Sequence, residues 1–160
     1  MNISELANYA DVVGGIAVLI SLIYVAIQIR QNTKMAQTSN YADLSFKVSE
    51  FNNLIASDSE LADIYNRGIE RFDNLSAVEK TRFNFAISRL MQAIQAMFHL
   101  RRRGYIDSEL AQTNFDSIAV FLTAPGIEEW WSANRKWWEC GFRDFMDGMI
   151  ESNKLPSVSS

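Results

Sequence analysis

Between Asp11 and Arg30 the chain carries no charge, and Val12 to Ile29 reads VVGGIAVLISLIYVAIQI. Eleven of those eighteen residues are Val, Leu or Ile, and only Ser21 and Gln28 are clearly polar. The run sits at the lower edge of what a transmembrane helix needs. At 1.5 Å per residue it covers roughly 27 Å of apolar thickness. Hydrocarbon offers the backbone no hydrogen bonds, so in a bilayer such a segment must be helical. Two other readings stay open. One is a core helix of a soluble bundle, apolar all round and fully buried. The other is a cleaved signal peptide, which would want a basic residue before the run and an A-x-A site after it. The sequence has neither.

The flanks give an orientation. Glu5 and Asp11 precede the run without a basic side chain, whereas Arg30 and Lys34 follow it. The positive-inside rule then puts the N-terminus outside and the bulk of the chain in the cytoplasm. One stripe of the helix is small: Ala10, Gly14, Ala17 and Ser21, continued by Gln28. Small residues let two helices approach closely in lipid, and a glutamine can hydrogen-bond across the pair. This stripe is expected to pack on a second copy or on another membrane protein.

Composition limits the remainder. Two prolines and seven glycines in 160 residues leave little turn punctuation, so the chain should be nearly all helix. Hydrophobic residues at 48% and charged residues at 21% exclude disorder. A net charge of -4 argues against a nucleic-acid partner. One cysteine and one histidine exclude a disulfide scaffold and a zinc site of the usual ligand types.

After Ile29 no Pro or Gly interrupts the chain before Ser57, and Tyr41, Leu44, Val48, Phe51 and Ile55 form a heptad-like stripe. The membrane helix is therefore expected to run on, as an amphipathic helix, to about residue 56. Ser57, Asp58 and Ser59 can cap a second helix bearing Leu61, Ile64, Tyr65, Gly68, Ile69 and Phe72 on one face. Ser76 with Glu79 is a capping box for a third helix ending at Gly104. Its apolar face is broad and takes in both Phe83 and Phe85. Asp107 can cap a fourth helix, closed by Thr123-Ala124-Pro125-Gly126. A single last helix is expected from about Ile127 to Glu151, with Glu139 and Arg143 spaced as an i,i+4 pair. The predicted organisation is a short N-terminal segment (1–11), a transmembrane helix (12–29), an all-α cytoplasmic bundle of four to five helices (30–151) and a flexible tail (152–160).

No catalytic constellation stands out. His99 shares a polar face with Arg82, Arg89, Gln92 and Arg103, and reads as a solvated side chain. Cys140 reads as a small buried or half-buried thiol. No paired Glu-x-x-His motif or phosphate-binding glycine loop is present, so neither metal nor cofactor is expected. Arg101, Arg102 and Arg103 sit at a helix C-terminus, where cations offset the helix dipole. With Arg30 and Lys34 they are also candidates for contact with lipid headgroups. Trp130, Trp131, Trp137 and Trp138 are expected first in core packing, then at a membrane or partner surface, then around an apolar ligand.

The stretch IAVLISLIYVAIQIRQNT, Ile16 to Thr33, resembles the N-terminus of a widespread group of small uncharacterised bacterial proteins. The PG…EWW…R…W…FRDFMD segment, Pro125 to Asp147, is similar to their C-terminal pattern. The resemblance implies a bacterial inner-membrane setting and no activity. It marks Gln28, Arg30, Gln31, Asn32 and Thr33 as candidates for a shared role. The expected function is a membrane-anchored, non-enzymatic interaction or accessory subunit, with lipid and a second protein chain as its partners. The alternative is a soluble or peripheral bundle that buries Val12 to Ile29 and binds a hydrophobic small molecule.

Overall fold

The structure is a computed structural model that describes residues 2–154, with 3–8, 10, 153 and 154 described as backbone alone. Six α-helices and two 3-10 turns make up the described residues, and no strand occurs among them. The helices are α1 (Ile3–Ser57), α2 (Ser59–Glu70), α3 (Ala77–Arg102), α4 (Ser108–Leu122), α5 (Pro125–Asn134) and α6 (Cys140–Lys154). The turns are Phe72–Asn74 and Arg135–Trp137. Residues 155–160, most of the expected tail, lie outside the described residues, and α6 extends past the expected end at Glu151.

The chain divides into two compact units between Ser39 and Asn40. The first is helix from Ile3 onward. It is long and apolar enough to cross a membrane, and none of its apolar window is buried. Every side chain from Asp11 to Ala36 is exposed. The reading of Val12 to Ile29 as the core helix of a soluble bundle is therefore corrected. A core helix would be covered on all sides, and here Leu19, Ile20, Leu22 and Ile23 are each about 60% exposed.

The second unit carries the core. From α1 it takes Leu44 and Phe51, the buried members of the heptad-like stripe. Ile64 comes from α2, and Phe83, Ile87, Met91 and Ile94 from α3. Phe115 and Leu122 of α4, Trp130 of α5 and Phe142 and Met146 of α6 complete it. No polar or charged residue is buried among the described residues. The helix starts follow the sequence signals. Asp58 Oδ1 accepts from the Glu60 and Leu61 amides at 3.0 Å each. Asp107 Oδ1 does the same for Glu109 and Leu110. The capping box closes with Ser76 N–H donating to Glu79 Oε2 at 2.8 Å and Glu79 N–H donating to Ser76 Oγ at 3.4 Å. Gly104 follows α3 with φ 71°, a conformation that suits glycine.

Two glycines bring α2 and α5 into backbone contact. A Cβ at Gly126 would strike the carbonyl oxygen of Gly68 and come within 2.7 Å of that of Ile69. A Cβ at Gly68 would strike the Phe83 ring.

The single last helix is replaced by α5, a 3-10 turn and α6. Trp138 adopts extended backbone (φ -103°, ψ 155°), and the chain folds back there. The return is what lets Trp131 Nε1–H donate to Asp147 Oδ1 at 2.8 Å. In one straight helix those residues, 16 apart, would be separated by about 24 Å. Trp131, Trp138 and Phe142 then pack ring against ring, with centroids 5.6 to 6.4 Å apart. Glu139 and Arg143 do not pair as spaced. Glu139 reaches His99, and the Arg143 guanidinium reaches Cys140 Sγ. Cys140 opens α6 and is exposed, not buried. Phe85 is 71% exposed, because two residues along a helix turn the side chain by about 200°, away from the core face that Phe83 occupies.

Candidate functional site

Three groups of residues have something to offer besides fold. The first is the exposed apolar span. A Cβ added at Gly14 or Gly15 would meet nothing within 4 Å, so the small-residue stripe is uncovered. Its polar members are quieted within the helix. Ser21 Oγ donates to the Ala17 carbonyl at 2.9 Å, and Gln28 Nε2 donates to the Tyr24 hydroxyl at 2.7 Å. Ala17 is exposed, and Ala10 lies outside the residues whose side chains are described. Arg30 and Lys34 beyond the run are exposed. Thr33 and Thr38 turn their hydroxyls back onto the carbonyls of Ile29 and Lys34.

The arginine and tryptophan groups are drawn mainly into the fold. Arg101 lies over the Phe115 ring at 5.5 Å and Arg102 over the Phe98 ring at 5.4 Å. Arg101 thereby ties the C-terminal end of α3 to α4, whereas the Arg102 contact lies within α3. Arg103 is the cap residue and is exposed. Trp130 is fully buried, with its Nε1–H on Asn84 Oδ1 at 2.9 Å. Trp131 is buried on Asp147, and Trp138 is half-buried. Trp137 alone of the four is open, at 77%. It edges a polar hollow that also takes in Asn84, Ser88, Gln92 and Gln95.

The ionised side chains weld α2 to α3. Arg67 donates to Glu79 Oε1 at 2.6 Å and to Asp63 at 2.9 Å. Arg82 spans Asp58 and Glu60, both at 2.7 Å. Hydrogen bonds from Arg67, then from the Ser76 amide and hydroxyl, hold the Glu79 carboxyl down at about 2. The Leu61 amide leads the groups that lower Asp58. These shifts follow from caps and ion pairs, which makes them structural. His99 is half-buried, edging the Phe98 ring with its Nε2 2.9 Å from Glu139 Oε2, and is not the solvated side chain expected. No cluster of three or more His, Cys, Asp or Glu side chains able to hold a metal occurs among the described residues.

The third group is a cavity of about 420 Å³ within the second unit. From α1 come Tyr41, Leu44, Ser45, Val48, Phe51 and Asn52. The opposite wall is Leu90, Ala93, Ile94 and Met97 of α3, with Asn114, Ser117, Ile118 and Phe121 of α4. Tyr65 of α2 closes one side, and burial pushes its phenol up. The α1 stripe was legible in the sequence, whereas the α3 and α4 residues opposite it read only as core. Asn114 and Ser117, polar residues beside the α4 stripe, were the available signal. No protein-family profile matches this chain, and no match was found among curated proteins or solved structures.

Proposed function

We propose that this chain is a single-pass membrane protein and serves as a non-enzymatic interaction or accessory subunit. The observation that carries the reading is the Val12–Ile29 run, eighteen uncharged and mostly apolar residues, every one of them exposed. Exposed apolar surface on that scale in water marks a membrane or protein contact. The run has the length and composition of a spanning helix, so lipid is its natural cover. The positive-inside rule applied to Arg30 and Lys34 favours an N-terminus outside and a helical bundle in the cytoplasm, and the resemblance of Ile16 to Thr33 favours the bacterial inner membrane. The uncovered stripe of Gly14, Ala17 and Ser21 then faces a second transmembrane helix, either another copy or a partner.

Carbonate washing of membranes tests the anchor: the protein stays in the pellet until detergent is added. Release by carbonate overturns the reading. Cys140 is exposed, so a bulky maleimide tests the topology. It should label inside-out vesicles and spare right-side-out ones. Gly14→Leu and Ala17→Leu should each reduce oligomer or complex size in detergent. Unchanged size in both removes the stripe from the assembly.

A further inference from the structure

We propose that the cavity framed by α1, α3 and α4 binds a neutral single-chain amphiphile with a hydroxyl head. Its size falls in the range of small-molecule sites, roughly 300–1,000 Å³, and such sites form between the helices of bundles. The walls are aliphatic and aromatic, with Met97 able to adapt to an irregular occupant. The charge of the head follows from what is missing. Among the described residues, no Lys, Arg, His, Asp or Glu lines the cavity. An ionised head would lose hydration without gaining a counter-charge.

The head's hydrogen-bonding sense follows from α4. One Asn114 Nδ2 hydrogen goes to the Leu110 carbonyl at 2.8 Å, and the Ser117 hydroxyl proton to the Thr113 carbonyl at 3.1 Å. What these residues still offer is mixed: the second Asn114 N–H as a donor, and the Asn114 amide oxygen and the Ser117 lone pairs as acceptors. A hydroxyl, which both donates and accepts, matches such a site, and a carboxylate, which only accepts, leaves its acceptors unused. Ser45, Asn52 and Ser117 line the cavity and are themselves exposed, which puts them at its mouth. The head belongs there and the chain belongs against Leu44, Ala93, Ile94 and Met97. Every residue involved lies between Tyr41 and Phe121, so the site exists whether or not Val12–Ile29 crosses a bilayer.

The test is photolabelling of the full chain in lipid nanodiscs with a diazirine dodecanol, beside the matching diazirine dodecanoate. Labelled peptides are mapped by mass spectrometry. The alcohol should label the Leu90–Met97 and Asn114–Phe121 peptides saturably, and the carboxylate should label them about tenfold less. Ile118→Trp, which fills the cavity, and Ser117→Phe, at an exposed position that spares the core, should each reduce that labelling about tenfold. Far-UV circular dichroism checks that both fold. Labelling confined to Val12–Ile29 overturns the site. So does labelling undiminished in Ser117→Phe. Equal labelling by the carboxylate overturns the neutral head.

Discussion

A methyl group added at Gly126 has nowhere to go. It would meet two carbonyl oxygens of α2, and backbone yields less readily than a side chain. Overpacking of that kind costs about 1–3 kcal/mol, and Gly126→Ala should lower the urea midpoint accordingly. Gly68 sits opposite but faces the Phe83 ring, which can shift, so Gly68→Ala should be the milder change. Glu79 gives the residue scale its pH dependence. Its folded value of about 2 lies below its ordinary value of 4.5, so the proton binds the unfolded chain more readily. The stabilisation is complete above about 4.5 and fades as pH falls toward 2. The melting temperature should drop across that window, and Glu79→Gln should flatten the drop. Both caps and the capping box were legible in the sequence, because each depends on neighbours within three positions. The Gly68–Gly126 contact was not, since its partners lie 58 residues apart.

At the scale of elements, hydrophobic spacing located α2 to α4 and the end of α1 closely, missed the start of α1 at Ile3, and failed where the chain turns without Pro or Gly. Ser132 to Glu139 reads as helix by composition, and tertiary contacts override it. The rings of Trp131, Trp138 and Phe142 gain more from converging than the backbone gains from staying straight. Trp131→Phe keeps most of the apolar area and removes the bond to Asp147. Hydrogen bonds to charged groups contribute about 1.5–3 kcal/mol, so chemical denaturation should show a loss of that order. The cavity escaped the sequence for a related reason. Periodicity says which face of a helix is apolar, and it does not say where three such faces fail to meet.

At the scale of the whole molecule, the buried core begins at Leu44, beyond the boundary between the two compact units. A chain beginning at Ser39 should therefore retain a cooperative melt and high helicity, read by circular dichroism. It should also run as a smaller, detergent-independent particle on size exclusion, having lost the apolar run. A loss of cooperativity would mean that the first unit stabilises the second.

The fold-back at Trp138 has an optical consequence. Trp130 and Trp131 emit from an apolar interior, while Trp137 stands in water beside them in sequence. One chain thus contains blue-emitting and red-emitting indoles, separable by a collisional quencher that reaches only the latter. Because Lys136 lies 5.2 Å over the Trp137 ring, anything that settles on that corner of the protein should alter its emission without any dye being attached.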